Sequence, residues 1–355
     1  MKRVVRLTDV AQAAGVSKGT ASNVFNRPEV VRPEVRTRVQ EAARRLGYGG
    51  PDPRGRLLRA GKVNAIGIVI ADQLSYFFCD PFARLLMSGI AEVCDQHGAG
   101  ISLVSGASGE QAAWSIETAL VDGFIVHCLE QGDRLIEHTR RRNLPFVSID
   151  LDAGAGTSSV LIDDRQGAYL AARHLLELGH RSLAIMSLEL RSDGRFGWAD
   201  PERLGSSTCR VERDRMAGYA AALAEHGLDI ERIPVMEAPN DLIRAAPHAD
   251  QLLAGPDEIT GVLCMSDVLA LAVIEAARRR ERRVPDDLSV VGFDDIPEAA
   301  AATPPLTTIA QPIADKGRRA AALIFEEAEP RSEVLPVRFV ERGSTARPPA
   351  GAART

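Results

Sequence analysis

The chain is poor in cysteine: its 355 residues hold only Cys79, Cys94, Cys128, Cys209 and Cys264, all far apart. With no C-x-x-C pair and no histidine at ligand spacing, neither a disulfide framework nor a zinc site is expected, and the thiols read as reduced. No stretch approaches the roughly 18 uninterrupted apolar residues of a membrane span, and no apolar run precedes Asp9. Secretion and membrane association are therefore disfavoured, and a cytoplasmic location is expected. The phosphate loop GxxxxGK followed by Ser or Thr, the nucleophile elbow GxSxG and a convincing GxGxxG are all missing. The acid pairs Asp163-Asp164 and Asp294-Asp295 are adjacent, so alternation tends to point their side chains apart, and no Ser, His and Asp set can be assembled from spacing. These absences argue against an enzyme; no catalytic residue, cofactor or metal is expected. No heptad repeat follows Arg342, which disfavours a C-terminal coiled coil.

What is present is an uneven distribution of charge. The formal net charge is -5, from 43 basic and 48 acidic residues. Residues 1–62 alone hold fourteen of the bases, Lys2, Arg3, Lys18, Arg44 and Arg45 among them, against the five acids Asp9, Glu29, Glu34, Glu41 and Asp52. The remainder carries an excess of acids. Clustered cations attract phosphates, and an acidic body limits indiscriminate sticking, so the pattern suits a nucleic-acid-binding head on an acidic body.

Three short helical patterns fill the head. Leu7 to Ala14 places Val10, Ala11 and Ala14 on one face, with Thr8 as its expected N-cap and Gly15 as its stop. Ser17 caps a second helix that runs to about Phe25 and turns Ala21, Val24 and Phe25 inward. Pro33 starts a third, which carries Val35, Val39, Ala42, Ala43 and Leu46 to Gly47. Gly49 to Pro53 reads as a linker. Beyond it, continuous apolar runs alternate with helical stretches: Ile66 to Ile70, Ile101 to Val104, Phe124 to Val126, Phe146 to Ile149, Leu183 to Met186, Val262 to Cys264 and Val290 to Phe293. Such runs predict parallel strands covered by helices on both faces. Nearly 250 residues of this kind exceed one sheet, and Val160 to Asp164 reads as a crossing between two.

The second helix of a helix-turn-helix enters the major groove, so its outer face must be short and polar while its inner face locks onto the first helix. Lys18, Thr20, Ser22 and Asn23, alternating with Ala21, Val24 and Phe25, meet that demand. At Leu7-Thr-Asp-Val-Ala11, Ala14-Gly-Val-Ser17, Thr20 to Asn26, Val35-Arg36 and Leu46-Gly-Tyr48 the chain resembles the lac-repressor-type (LacI/GalR) bacterial transcription regulators. The resemblance continues through Leu178-Gly-His180, Arg215 to Tyr219, Met265-Ser-Asp267, Val284 to Asp295 and Pro304 to Ile309, nearly the whole chain.

The resemblance implies an all-α helix-turn-helix head over residues 1–50, a linker and hinge helix over 51–62, and an α/β periplasmic-binding-protein-like core over 63–345 with two lobes of parallel sheet. The expected divisions are lobe 1 at about 63–163 and 311–332, lobe 2 at about 164–309 and 333–342, and a flexible tail at 343–355. It implies a dimeric regulator, a repressor of transcription, that binds a palindromic double-stranded DNA operator and is switched by a small molecule between the lobes. The DNA contacts implied are Thr8, Ser17, Lys18, Gly19, Thr20, Ser22, Asn23 and Asn26 in the head and Arg54, Arg56, Leu58 and Arg59 in the hinge, with Leu58 wedged between central bases. A hinge of about seven residues is shorter than the roughly 12–15 needed for a marginal isolated helix, so it should order only on DNA. Two departures stand out. Gly55 replaces the family's alanine inside the hinge, at a cost of about 1 kcal/mol of helix stability, and Gly19 offers no side chain where a base is read.

For the effector, the family's R-x-x-G-Tyr pattern points to Arg215, and the end of the strand Leu288 to Phe293 points to Asp294. A guanidinium fork with a carboxylate suits vicinal hydroxyls, which makes the expected effector sugar-like. Phe78, Asp80 and Phe82 in an aromatic loop, Ser266, which replaces a frequent asparagine, and Gln311 complete the expected contacts. Asp295 reads as a structural neighbour. The polar segment Arg191 to Arg213, with Trp198, reads as a possible cover for the cleft. A stand-alone solute-binding protein would share the body fold but would carry a secretion signal in place of the basic head.

Overall fold

The computed structural model describes residues 5–50, 62–70, 72–105, 109–127, 132–151, 154, 156–191, 193–255, 259–326 and 328–349. They fall into two compact units that divide after Val63. The first contains α1 (Leu7–Ala13), α2 (Lys18–Asn26) and α3 (Pro33–Leu46). Its core is built from small side chains, Val10, Ala11, Ala14, Ala21, Val24, Val39, Ala42 and Ala43, which let the helices approach closely. Asp9, rather than Thr8, completes the cap of α1 by accepting the Arg6 amide at 2.8 Å; Thr8 is one residue inside the helix and exposed. Gly15 turns the chain between α1 and α2 at φ 61°, a left-handed conformation that a Cβ disfavours.

In the second unit, β1 (Ala65–Ile70), β2 (Gly100–Ser105), β3 (Gly123–His127), β4 (Phe146–Ile149) and β5 (Ser158–Ile162) belong to one sheet. A second sheet takes β6 (Leu183–Ser187), β7 (Gly197–Trp198), β8 (Val235–Glu237), β9 (Gly261–Cys264), β10 (Ser289–Asp294) and β11 (Thr307–Ala310). The chain then returns β12 (Ser332–Leu335) to the first sheet and β13 (Arg338–Val340) to the second. The orders are β12-β5-β4-β3-β1-β2 and β13-β11-β10-β9-β6-β8-β7, parallel except where β13 meets β11 and β7 meets β8. Three crossings result, after β5, after β11 and after β12. The third corrects the expected lobe boundary: residues 333–335 pair in parallel with β5 through Glu333 to Val160 and Leu335 to Ile162, so they belong to the first lobe.

The helices cover both faces of each sheet, as fully buried strands require. In the first lobe they are α4 (Tyr76–Cys79), α5 (Pro81–His97), α6 (Gly109–Thr118) and α7 (Gly132–Arg141). In the second they are α8 (Asp164–Leu178), α9 (Pro201–Leu204), α10 (Arg210–Glu225), α11 (Leu242–Leu253), α12 (Asp267–Arg279) and α13 (Pro297–Ala301). The last helix, α14 (Ile313–Phe325), follows the second crossing and packs on α5. Glycines set that approach. A Cβ on Gly89 would land on the Ala314 carbonyl oxygen, and one on Gly317 on the Leu86 carbonyl oxygen; Gly218 plays the same part between α10 and α8 against Arg165.

The expected flexible tail at 343–355 is partly fixed. Ser344 is fully buried, donates to the Val290 carbonyl at 2.6 Å and accepts the Thr307 amide at 2.8 Å. Ala346 exchanges hydrogen bonds with Ser289, and its carbonyl lies 2.8 Å from His180 Nε2. Residues 350–355 lie outside the described residues. Among those described, no helix is long and apolar enough to cross a membrane.

Candidate functional site

In the head, Ser17 caps α2: its Oγ accepts the Thr20 amide at 3.0 Å and lies 2.9 Å from Thr20 Oγ1. With Ala21 and Val24 buried, Lys18, Gly19, Asn23 and Asn26 are exposed, while Thr20 and Ser22 are half-buried. Asn26 turns back to Ser22, its amide donating to the Ser22 carbonyl and hydroxyl at 3.0 Å each, so the side chain most open to a partner on this face is Asn23, beside Lys18. Arg54, Arg56, Leu58 and Arg59 lie outside the described residues.

The second unit gathers a buried polar cluster at the carboxyl ends of the strands of both sheets, where open parallel sheets place ligands. On the second-lobe side, α10 carries Arg215, 4% exposed. Its Nε donates to Asp164 Oδ1 at 3.0 Å, its terminal nitrogen donates to the Met265 carbonyl, and its guanidinium lies 3.6 Å from the centroid of the Phe293 ring. Asp294 ends β10 with φ 126°, a strained backbone of the kind that clusters at functional sites. It accepts from Gln311 Nε2 at 2.6 Å. Ser266 caps α12 by accepting the Leu269 amide at 3.1 Å and donates to Asn240 Oδ1 at 2.6 Å. Asn240 then reaches across the lobes to Asp80, 3.3 Å away.

On the first-lobe side stands Lys316, fully buried on α14. Its ammonium donates to Asp150 Oδ2 and, at 2.7 Å, to Gln311 Oε1, and it lies 5.2 Å from the centroid of the Phe82 ring. His127 Nε2 is 3.6 Å from Asp150 Oδ2, and its ring is 5.4 Å from Phe82. An unbroken polar chain thus runs Asp294, Gln311, Lys316, Asp150, His127, from one lobe to the other through the second crossing.

Burial shapes the acids of this cluster. It raises the Asp80 carboxyl and pushes that of Asp294 well above the ordinary range. It raises Asp164 as well, against the opposing charge of Arg215. At Asp150 burial again works upward, but the Lys316 charge and the His127 hydrogen bond outweigh it and hold the carboxyl below the usual range. One oxygen of each paired acid, Asp150 Oδ1 and Asp164 Oδ2, is buried with no hydrogen-bond partner. Unsatisfied buried acceptors cost about 1–3 kcal/mol each, which a ligand's donors would recover.

Of the residues expected at the effector site, Asp80, Phe82, Arg215, Ser266, Asp294 and Gln311 come together here. Phe78 does not: α4 turns Phe77 inward and leaves Phe78 66% exposed. Trp198 also stands apart: a Cβ on Gly255, beyond the far end of α11 from Asn240, would meet its ring at 3.7 Å. Its segment is pinned to β8 by Arg203, which grips Glu237 and Asp193. Asp295 turns away to Arg342, 2.6 Å distant. His127, Asp150, Asp164, Asn240 and Lys316 were not expected. A signal for Lys316 exists: it shares the helical spacing of Ile313, Gly317, Ala320 and Ile324, the buried stripe of α14.

Residues 6–50 match the model of bacterial regulatory proteins, lacI family, and residues 172–345 match a periplasmic binding protein-like domain. An HTH-type transcriptional regulator of Mycobacterium tuberculosis is 38% identical, over 98% of this chain and 99% of its own. The repressor CytR of Escherichia coli is 30% identical, over 96% of both. Among solved structures, the lac repressor dimer bound to operator and the anti-inducer ONPF superposes with a TM-score of 0.73 at 26% identity, covering 97% of this chain and 100% of its own.

Proposed function

The chain belongs to the lacI family of bacterial regulatory proteins and is a DNA-binding transcriptional regulator, and from that premise we propose that it represses transcription as a dimer on a palindromic operator, released or recruited by a small molecule between its lobes. The observation that carries the effector half is the cluster around Lys316 and Arg215, with two buried carboxylate oxygens left unpaired. The DNA half rests on α2, where Lys18 and Asn23 face outward above a buried Ala21 and Val24. Two half-sites require two heads, which is the reason for a dimer. In this reading Thr8, Ser17, Gly19, Thr20, Ser22 and Asn26 help to seat the head on phosphates and base edges. Arg54, Arg56 and Arg59 contact phosphates, and Leu58 wedges between central bases, at a cost of a few kcal/mol of unstacking recovered from the bent duplex. Effector and operator are linked: each must change the other's affinity by the same factor. The proposal assigns the chain no catalytic step.

Selection of bound duplexes from a random pool, with full-length protein and a Leu58→Ala control, tests it. An enriched palindrome that the control loses is the expected result. No enrichment, with or without added cell extract to supply an effector, would overturn the reading.

A further inference from the structure

A helix holds glycine at a cost, because a residue without a Cβ loses more backbone freedom on folding than alanine does. The helices of the two lobes show what offsets that cost. A Cβ on Gly89, Gly218 or Gly317 would fall within 2.2 Å of a backbone carbonyl oxygen of a neighbouring helix, and one on Gly167 would fall 2.8 Å from the Phe293 ring. A neighbour inside the protein requires each of these glycines. Gly19, the second residue of α2, has no such neighbour. Its backbone is helical, not left-handed, and apart from its chain neighbours and the helix's own backbone a Cβ would meet only Ser17 Oγ, at an ordinary 3.7 Å. Neither the conformation nor the packing of the head asks for glycine at this position.

What uses the space lies outside the chain. Gly19 is exposed, beside Lys18 and one turn before Asn23, on the face that the DNA reading of the head turns to the major groove. Base edges there present hydrogen-bond donors and acceptors, which a residue without a side chain cannot tell apart, and one apolar group, the C5-methyl of thymine. A methyl that stands out into the groove needs a matching recess, and a bare Cα provides one. We propose that Gly19 is a specificity-determining residue: its missing Cβ seats α2 against a thymine methyl, so that each operator half-site carries an A·T pair under Gly19. The inference rests on the DNA half of the proposed function and adds to it a base that the head reads by shape alone.

One added methyl should then help the free protein and harm the complex. Gly19→Ala places a better helix former in open space, so in the full-length protein the α2 amides should exchange with solvent no faster than in the parent, and up to about fivefold more slowly. On the operator the same methyl should collide with that of thymine. Selection of bound duplexes, run in parallel with the parent and Gly19→Ala, locates the pair: one position of each half-site should require A·T with the parent and lose that requirement with the variant. Titrations with duplexes carrying thymine or uracil at that position complete the cycle. The parent should bind the uracil duplex about fourfold more weakly for each half-site changed, the worth of one buried methyl. Gly19→Ala should bind the thymine duplex about tenfold more weakly than the parent does and should prefer uracil, because its own methyl takes the vacated place. Faster exchange in α2 would make the glycine a structural need of the head and overturn the proposal. So would a variant that binds thymine and uracil duplexes alike, or neither. An enriched palindrome in which Gly19→Ala shifts no A·T preference sinks the thymine contact alone, whereas no palindrome with the parent sinks the regulator reading.

Discussion

The two lobes solve one problem with different side chains. Within the polar cluster each buries a cation beside an aspartate that leaves one oxygen unpaired, Lys316 with Asp150 in the first and Arg215 with Asp164 in the second. The second lobe uses a planar fork held by an aspartate, a backbone carbonyl and an aromatic face, so its geometry is fixed from three directions. The first uses a compact ammonium on a flexible stem, positioned by Gln311 and Asp150. The comparison teaches that the lobes are not equivalent walls: one is preset, and the other is set through Gln311 by the state of the crossing and of Asp294.

The most severe way to break the comparison is to delete the cations. Lys316→Met and Arg215→Met each leave a buried aspartate without its partner, and each should cost about 3–5 kcal/mol in urea unfolding. Arg215→Lys should recover little of that loss, because an ammonium cannot reach Asp164, the Met265 carbonyl and the Phe293 face together. Full recovery would show that the second lobe is no more preset than the first.

A smaller effect tests the helix pairs behind the two walls. Gly89→Ala in the first lobe and Gly218→Ala in the second drive a methyl onto a backbone carbonyl of the neighbouring helix, and each should cost about 1–3 kcal/mol. Denaturation midpoints of the two variants check this, and a neutral result at either site would show that its helix pair can part without loss.

A last effect, comparable in size to the glycine variants, is a pH dependence of opposite sign at Asp267 in the second lobe and Asp150 in the first. Burial pushes Asp267, in the second lobe, up to about 6, against hydrogen bonds from Thr308 and the Ile296 amide. A raised carboxyl contributes stability that is fully present below its ordinary value and is lost as pH rises through about 6. Asp150, held below the ordinary range by Lys316, contributes stability that is present above that range and is lost as the solution is acidified beyond it. Between pH 4 and pH 7, wild type should therefore lose on the order of 2–3 kcal/mol relative to Asp267→Asn. Thermal unfolding across that range checks the sign, and parallel curves would refute it.

Much of the architecture was legible because continuous apolar runs flanked by helical spacing can hardly be anything but covered parallel strands; all seven such runs are strands. The edges were not legible. β12 alternates between exposed and half-buried residues over four positions and β7 spans two, too few for any periodicity to show. At the cluster, Arg215, Asp294, Ser266 and Gln311 could be named because they stand in motifs. Asp150 and Lys316 could not, since their contact joins positions 166 residues apart, and a lysine beside Arg318 and Arg319 looks like part of a solvated face. Only the stripe of Ile313, Gly317 and Ala320 betrays its inward direction.

The three crossings also have a consequence in time. The first sheet needs β12, and its buried aspartate needs Lys316, but both are encoded after β6 to β11 of the second lobe. At a synthesis rate of roughly 5–20 residues per second, Asp150 leaves the ribosome on the order of ten seconds or more before its cation exists. The head and most of the second lobe can fold in that interval; the wall that holds Lys316 closes late, followed by the β13 edge of the second sheet.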